Sequence, residues 1–328
     1  MSIVISRRAA CLYAVSALGL ASLPVRSQPA FPARPIRLIV PFAVGGSTDL
    51  IARVIAEALR KEFGQAVIVE NRTGAAGMIG TEAIATAAPD GYSIGIGTDS
   101  TWMVNPLFSG KAAKANERLR PFNLVSLWSM LAVHPSFPAK DFAGFVAEIK
   151  RKPGVYSCGV PGVGSSGHLF VEAFNEALGV KIVAVPYRGN GPAMTDSVAG
   201  VVQVVMDSLP SAMPHVRTGK LVPLAVSGAA RQPELSRVPT YTELGHADLN
   251  ERAVTRLSLV IPNQVPAPIA DALRAAAARA VQQPDVQRRL QEIGAQSSIG
   301  DEQASRQLIA SVLEKNRALV KRANITAP

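Results

Sequence analysis

The chain has 328 residues, of which 48% are apolar and 5% aromatic, and its formal net charge is +10. This length predicts two domains, each large enough for a hydrophobic core of its own. The basic residues are scattered and lack interleaved aromatics, which argues against a nucleic-acid partner. Beyond the N-terminus no stretch is apolar for long enough to cross a bilayer, so we do not expect a membrane-embedded protein.

Residues 1–30 have the pattern of a secretory signal peptide. Arg7 and Arg8 precede an apolar run over residues 9–23, and small and polar residues follow around residues 27–30. The pattern predicts export to the periplasm, although it leaves the cleavage site open. An arginine pair alone is weak evidence for twin-arginine export, so general secretion is the better-supported route. Removal of these residues leaves a net charge of +7, which mildly favours anionic ligands.

The segment from Ile36 to Leu59 contains the first candidate site. Its run IRLIV predicts a buried strand that ends at Pro41, and a glycine loop then leads into a helix that begins near Ser47. A helix that begins after a glycine turn leaves several backbone N–H groups pointing at one spot, which attracts an anion. An ordinary connection that binds nothing explains this stretch equally well.

Strands and helices alternate through the next part of the chain, which predicts an α/β protein with a parallel sheet covered on both faces. We expect strands over residues 66–69, 92–97 and 124–133, helices over residues 80–87 and 142–150, and a surface loop over residues 112–121.

A second turn rich in glycine and serine repeats the architecture of the first. The predicted strand over residues 155–159 leads into residues 162–168, and a helix with Leu169, Phe170 and Phe174 on one face follows. Further strands are expected over residues 181–185, 201–206, 221–226 and 252–261, and further helices over residues 191–199, 268–282, 285–293 and 301–323.

Short motifs run in a fixed order through nearly all of the mature chain. They are PFxxGGxxD from residue 41, VENR from 69, APDGY from 88, GT from 97, GSSGH from 164, PYRG from 186, DxLPSA from 207 and GKL from 219. Each motif alone is weak, but the ordered set resembles the Bug family of extracytoplasmic solute receptors. These receptors are related to the TctC-like substrate-binding component of tripartite tricarboxylate transporters.

The resemblance implies a two-lobed periplasmic-binding-protein fold, or Venus flytrap, in which each lobe is a mainly parallel sheet flanked by helices. Lobe 1 would contain residues 31–130 and 252–328, and lobe 2 residues 131–251. The resemblance also implies a small carboxylate-bearing ligand in the cleft. Backbone amides, hydroxyls and ordered waters would hold this ligand without an obligatory arginine. No cofactor and no metal are implied.

The resemblance assigns ligand-binding residues to both lobes. In lobe 1 they are Phe42, Ala43, Gly45, Gly46, Ser47, Asp49 and Thr98, and in lobe 2 they are Gly164, Ser165, Ser166, His168, Tyr187, Arg188, Gly189 and Asp207. Asp49 is explained slightly better as a first-turn charge of its helix, and His168 equally well as a first-turn residue bonded to backbone. Asp207 ends a strand, where α/β sheets place ligands. It would favour a ligand with an amino group, or it would cap the next turn.

The chain also departs from the family pattern in its last predicted strand. Arg256, Leu257 and Ser258 stand where the family usually has Trp-Phe-Gly. This strand borders the hinge and the cleft, so we expect the departure to affect ligand preference or closure.

These observations favour a monomeric periplasmic receptor that captures a small organic anion for a membrane transporter or a sensor kinase. The alternative is a periplasmic enzyme that acts on a small carboxylate on the same scaffold. The four histidines lack metal-binding spacing, a GxSxG motif is absent, and Cys158 has no evident base nearby. We therefore expect no enzymatic activity. The sequence names neither the ligand nor the choice between uptake and sensing.

Overall fold

The structure is a computed structural model that describes residues 31–322 and residue 325, so the predicted signal peptide lies outside the described residues. The strands are β1 Ile36–Val40, β2 Val67–Asn71, β3 Ser93–Thr98, β4 Leu119–Val133, β5 Ser157–Val160, β6 Val183–Pro186, β7 Val204–Ser208, β8 Val222–Val226, β9 Val254–Pro262 and β10 Ala295–Ser297. The helices are α1 Ser47–Phe63, α2 Met78–Ala85, α3 Asn105–Phe108, α4 Gly110–Glu117, α5 Phe142–Arg151, α6 Ser166–Leu178, α7 Asn190–Val198, α8 Leu209–Arg217, α9 Ala247–Arg252, α10 Ala267–Gln282, α11 Pro284–Glu292 and α12 Glu302–Arg322.

A mixed sheet connects these strands in the order β2-β1-β3-β9-β4-β7-β5-β6, and β8 and β10 also pair with β4. Both ends of the sheet are parallel, as expected from the alternation of strands and helices. Every antiparallel pair of the described strands involves β4 or β9. The expected α/β architecture is therefore confirmed, with antiparallel strands at its centre.

The long strand β4 joins two halves of this sheet. Its residues up to Trp128 pair with β9, and its residues from Ser129 onward pair with β7. One uninterrupted strand thus serves both halves. We call the half that contains β1, β2, β3, β9 and β10 the first lobe, and the half that contains β5, β6, β7 and β8 the second lobe.

The few aromatic residues of the chain are concentrated in the core of the second lobe. Phe137, Phe145 and Phe174 are buried there, and the rings of Phe137 and Tyr156 lie 4.6 Å apart between centroids. The core cluster of the first lobe around Ile39 is mainly aliphatic but includes the buried indole of Trp102. The second-lobe cluster also includes Val104 and Leu319, which come from outside residues 131–251.

The loop predicted over residues 112–121 was wrong. The segment contains most of α4 and the first residues of β4. Its helical signal is weak because the residues that α4 buries on its apolar side, Ala112 and Ala115, are small. Ser109 caps this helix by accepting a hydrogen bond from the backbone N–H of Ala112.

The helices α8 and α9 were not predicted. Pro210 and Pro214 both lie within α8, and prolines at this spacing normally indicate a loop. Pro210 stands in the first turn, where its missing N–H group has no partner to lose. Both helices prove important for the site, because α8 begins beside it and α9 leads into β9.

We predict that Gly80→Ala destabilises the fold, although alanine normally favours a helix over glycine. A Cβ atom at Gly80, in α2, would lie 2.6 Å from the Cα atom of Pro41 and 2.8 Å from the carbonyl oxygen of Arg72. Overpacking of this kind costs about 1–3 kcal/mol, which exceeds the gain of at most about 1 kcal/mol in helix propensity. The midpoint of urea-induced unfolding should therefore fall.

Gly110→Ala provides the control for this measurement. Gly110 begins α4, and a Cβ atom at this position would contact nothing within 4 Å. Its unfolding midpoint should stay unchanged or rise. Equal midpoints for the two variants would contradict the packing described at Gly80.

Candidate ligand-binding site

A cavity of about 60 Å³ lies where loops of the two lobes meet, and we call it the cleft cavity. Hydroxyl side chains are prominent on its wall: Ser47, Thr48, Thr98, Ser100, Ser129, Ser166, Ser208 and Thr255. The other wall residues are Phe42, Gly46, Pro161, Gly167, Phe170, Asn190, Met206, Asp207, Arg252, Ala253 and Val254. The wall is thus rich in groups that donate hydrogen bonds.

Four helices begin at the cleft cavity. The helix α1 begins at Ser47, α6 at Ser166 and α7 at Asn190, while Ser208 immediately precedes α8. The first turn of a helix has unpaired backbone N–H groups and a partial positive charge. The sequence predicted α1, α6 and α7 but assigned only the starts of α1 and α6 to anion-binding turns, and the structure adds the start of α8. Their convergence creates an electropositive pocket that suits an anion.

Hydrogen bonds connect the two lobes across the cavity. The hydroxyl oxygens of Ser100 and Ser166 lie 2.9 Å apart, and the backbone N–H of Ser166 donates to Ser100 Oγ at 3.0 Å. On the other side, Ser47 Oγ donates to Ser211 Oγ at 2.9 Å. The structure therefore shows the lobes in a closed arrangement.

The start of α7 lies directly against the first-lobe loop. A Cβ atom at Gly191 would lie 2.2 Å from the carbonyl oxygen of Val44, a distance that no side chain can occupy. Gly191 faces Gly46, whose own Cβ atom would lie 3.3 Å from the backbone nitrogen of Gly191. Glycine on both sides lets the two backbones approach, and so the lobes can close.

Asp207 is a buried acid on the cavity wall. It accepts hydrogen bonds from Asn190 Nδ2, from the backbone N–H of Ser208 at 2.7 Å and from Ser211 Oγ at 2.5 Å. Burial raises the pKa of Asp207 to about 6, although these three donors act in the opposite direction. Its hydrogen bonds to Ser208 and Ser211 connect it to the start of α8. A contact with a ligand amino group stays a prediction.

Arg256, the first residue of the unusual RLS sequence, forms an ion pair with Asp99 beside the cavity. Its Nη1 atom lies 3.0 Å from Asp99 Oδ2, and its backbone N–H donates to Asp99 Oδ1 at 3.2 Å. Burial raises the pKa of Asp99 to about 6, and Arg256 partly offsets this effect. Because Asp99 stands between Thr98 and Ser100, the pair fixes two wall residues against β9.

The structure places six of the predicted site residues on the cavity wall: Phe42, Gly46, Ser47, Thr98, Ser166 and Asp207. The other nine do not line the cavity in this closed arrangement: Ala43, Gly45, Asp49, Gly164, Ser165, His168, Tyr187, Arg188 and Gly189. Their contact with a ligand stays a prediction.

Asp49 does not line the cavity and instead stabilises the first glycine loop. It accepts hydrogen bonds from the backbone N–H of Gly45 at 3.1 Å, from Asn71 at 3.0 Å and from the guanidinium of Arg53 at 3.0 and 3.1 Å. Burial raises the pKa of Asp49, but these donors together lower it below its ordinary value. These contacts agree with the explanation of Asp49 as a first-turn charge of its helix.

His168 and Ser165 stabilise the second glycine turn in a similar way. His168 Nδ1 accepts a hydrogen bond from the backbone N–H of Gly164 at 3.1 Å, and Ser165 Oγ accepts one from the backbone N–H of His168 at 3.2 Å. Burial lowers the pKa of His168, which keeps the ring neutral and able to accept this bond.

Tyr187 and Arg188 of the PYRG motif lie outside the cavity wall. Tyr187 donates a hydrogen bond to Asp196 at 2.6 Å, and Arg188 is exposed.

Several wall residues were missed by sequence reasoning. Thr48 and Ser208 directly follow predicted site residues and are therefore the easiest to find. Arg252 is the last residue of α9 and Thr255 lies in β9, and no local motif indicates their position on the wall. Only the return of the chain between the lobes brings them to the cavity.

The described residues contain no group of three or more His, Cys, Asp or Glu residues that could hold a metal ion. In the same part of the chain, no helix combines the length and apolarity needed to cross a membrane.

Cys158 is buried in β5, and burial raises the pKa of its thiol to about 12. The thiol is therefore protonated and unreactive at neutral pH.

Comparison with known proteins identifies relatives along most of the chain. BugT of Bordetella pertussis is 37% identical over 229 residues, which cover 68% of this chain and 69% of BugT. The R. palustris protein Rpa4515, solved with adipate, is 31% identical with a TM-score of 0.85, covering 90% of this chain and 99% of that one. MatC of Rhodopseudomonas palustris, solved with bound malate, is 30% identical with a TM-score of 0.81, covering 88% and 100%.

A family model also matches the chain over residues 51–325, and this model describes the tripartite tricarboxylate transporter family receptor. The match spans both lobes and covers α6, α7 and α8 completely and α1 from Ile51 onward. The family expected from the ordered motifs is thereby confirmed. The chain belongs to the TctC-like receptors of the tripartite tricarboxylate transporter family, together with the Bug proteins.

Proposed function

We propose that this protein is a periplasmic receptor that closes around a small carboxylate-bearing anion and presents it for uptake or sensing. The convergence of four helix N-termini on one hydroxyl-lined cavity carries this proposal. Backbone N–H groups and hydroxyls from both lobes can then bind one carboxylate, so binding favours the closed arrangement. Two similar proteins support the ligand class, since their structures contain adipate and malate.

We further propose that the receptor releases its ligand unchanged. Among the described wall residues there is no histidine or cysteine, and the carboxylate of Asp207 is engaged by three protein donors. His168 is held by its own turn, and Cys158 is buried with a raised pKa. This arrangement suits binding and offers no paired nucleophile and base.

The remaining parts of the proposal concern organisation and partners. Lobe 1 comprises residues 31–130 and 252–328, and lobe 2 residues 131–251, a division supported by the change of strand partners between Trp128 and Ser129. Residues 1–30 direct export to the periplasm. The mature protein acts as a monomer and delivers its ligand to a membrane transporter or to a sensor kinase.

A ligand screen of the purified mature protein tests this function. Carboxylates should raise its thermal unfolding midpoint, because a ligand that binds only the folded state stabilises that state. Neutral analogues of matched size should not. Mass spectrometry of the mixture should recover the carboxylate unchanged. Stabilisation by a neutral solute alone would contradict the anion site, and consumption of the ligand would support the enzyme alternative.

We predict that Ser166→Ala weakens carboxylate binding by roughly tenfold. Ser166 lines the cavity and is hydrogen-bonded to Ser100 across the lobes. Its loss removes a donor to the ligand and a closing contact, and one hydrogen bond to a charged group is worth about 1.5–3 kcal/mol. Isothermal titration calorimetry measures the change. Ser236→Ala, at an exposed position, is the control and should bind like the wild type. Equal affinities would contradict the assignment of Ser166.

We predict that carboxylate affinity rises as the pH falls from 7.5 to 5.5. At pH 7.5 Asp207 is largely ionised, because its pKa is about 6, and its negative charge opposes the bound anion. Protonation removes this repulsion, while an ordinary carboxylate ligand stays largely ionised at pH 5.5.

Asp207→Asn should therefore bind more tightly than the wild type at pH 7.5 and should respond less to pH. The pKa of nearby Asp99 is also about 6, so Asp99→Asn serves as a comparison that separates the two carboxyls. If the affinity of Asp207→Asn collapses for every ligand that binds, Asp207 contacts a ligand amino group instead.

A further inference from the structure

A serine outside the cleft cavity connects the two lobes. Ser211 lies in the first turn of α8 and is only 4% exposed, but it is not part of the cavity wall. Its hydroxyl oxygen accepts a hydrogen bond from Ser47 Oγ at 2.9 Å, and Ser47 begins α1 in the first lobe. Ser211 therefore contacts the opposite lobe without facing the space in which a ligand would lie.

The acceptors around Ser211 determine the direction of this hydrogen bond. Its single hydroxyl hydrogen has two acceptors in the second lobe, Asp207 Oδ2 at 2.5 Å and the carbonyl oxygen of Ser208 at 3.0 Å. An ionised carboxylate and a carbonyl oxygen can only accept, so the Ser211 hydroxyl donates within its own lobe. Its remaining lone pairs can only accept from the first lobe, and Ser47 must be the donor.

Ser47, Ser211 and Asp207 thus form a relay of hydrogen bonds that crosses the cleft. All three side chains are buried, and a hydrogen bond in such surroundings is stronger than one in water. Asp207 also accepts a hydrogen bond from Asn190, the first residue of α7. The relay therefore connects the starts of α1, α7 and α8 when the lobes are closed.

The relay also limits what the side chain of Ser47 can offer to a ligand. A hydroxyl has one hydrogen, and the hydrogen of Ser47 is already donated to Ser211. Only the lone pairs of this oxygen remain, and lone pairs do not bind a carboxylate. The hydroxyl of Ser47 therefore supports closure, while the helix N–H groups and the other hydroxyls of the wall remain as donors for an anion.

We propose that Ser211 is a positioning residue for ligand retention. It holds the lobes closed by accepting a hydrogen bond from Ser47, and Asp207 orients its hydroxyl for this contact. The inference rests on the proposed receptor function, because retention depends on closure only if a carboxylate lies in the cleft. It assigns a role in binding to a residue that does not touch the ligand.

A double-mutant cycle over Ser47 and Ser211 tests this role at pH 7.5. The probe is the acid that gives the largest thermal stabilisation of the wild type among malate, adipate and benzoate. Ser47→Ala and Ser211→Ala should each lower its calorimetric affinity about fivefold, as expected for one net hydrogen bond. Stopped-flow measurements should assign most of this loss to faster dissociation. The double variant should lose no more than either single variant, because all three lack the same contact.

Ser197→Ala provides the matched control. Ser197 is 3% exposed in α7 and donates to the carbonyl oxygen of Ala193 at 2.8 Å, so its contact stays within one helix. This variant should keep the affinity and dissociation rate of the wild type, even where its unfolding midpoint falls. If Ser211→Ala does not fold, Ser211→Cys takes its place in the cycle, since a thiol is only a weak donor and acceptor.

Losses that multiply, to about 25-fold in the double variant, would overturn the role of Ser211, because the two serines would then act independently. Wild-type affinity in the Ser211 variant would overturn it as well. Both results would leave the receptor function intact. If no acid of the panel binds the wild type, the proposed function fails and this inference fails with it.

Discussion

The helix starts around the cleft cavity, with the backbone N–H groups of their first turns, determine much of what this protein can do. Such groups need a hydrogen-bond acceptor when they are shielded from water. The helices α1, α6, α7 and α8 all direct their first turns to the same small space. A carboxylate satisfies several of these donors at once, and the partial positive charges of the helices add to its attraction. Anion recognition therefore follows from the backbone more than from any single charged side chain.

The strand β4 explains how donors from two lobes can meet and separate. It pairs with β9 up to Trp128 and with β7 from Ser129, so both lobes are anchored to one continuous strand. The lobes touch through a few hydroxyl hydrogen bonds, such as those of Ser100 with Ser166 and of Ser47 with Ser211. A typical bond of this kind contributes only about 1 kcal/mol net. A ligand that binds both lobes can therefore shift the balance between open and closed forms.

Much of the fold and part of the site could be predicted from the sequence. The glycine turns before Ser47 and Ser166 have local signatures, and both helix starts line the cavity. The start of α8 after Ser208 was not predicted, because a segment that contains Pro210 and Pro214 resembles a loop. Arg252 was also missed, since its place on the wall depends on the return of the chain between the lobes, which no local pattern encodes.

The roles of individual charges were harder to predict for a related reason. Asp49 and His168 could have faced a ligand or supported their own turns, and the sequence alone left the choice open. The structure shows both of them bonded within their turns, to Gly45 and Gly164 respectively. The pairing of Arg256 with Asp99 joins residues 157 positions apart in the chain, so only the packed strands β3 and β9 reveal it.

Closure around a carboxylate can be observed directly by small-angle X-ray scattering of the mature protein in solution. The radius of gyration should be larger without ligand and should fall when a saturating carboxylate is added, since the ligand favours the closed arrangement of the lobes. A radius of gyration that stays constant while calorimetry shows full occupancy would contradict closure as the basis of recognition.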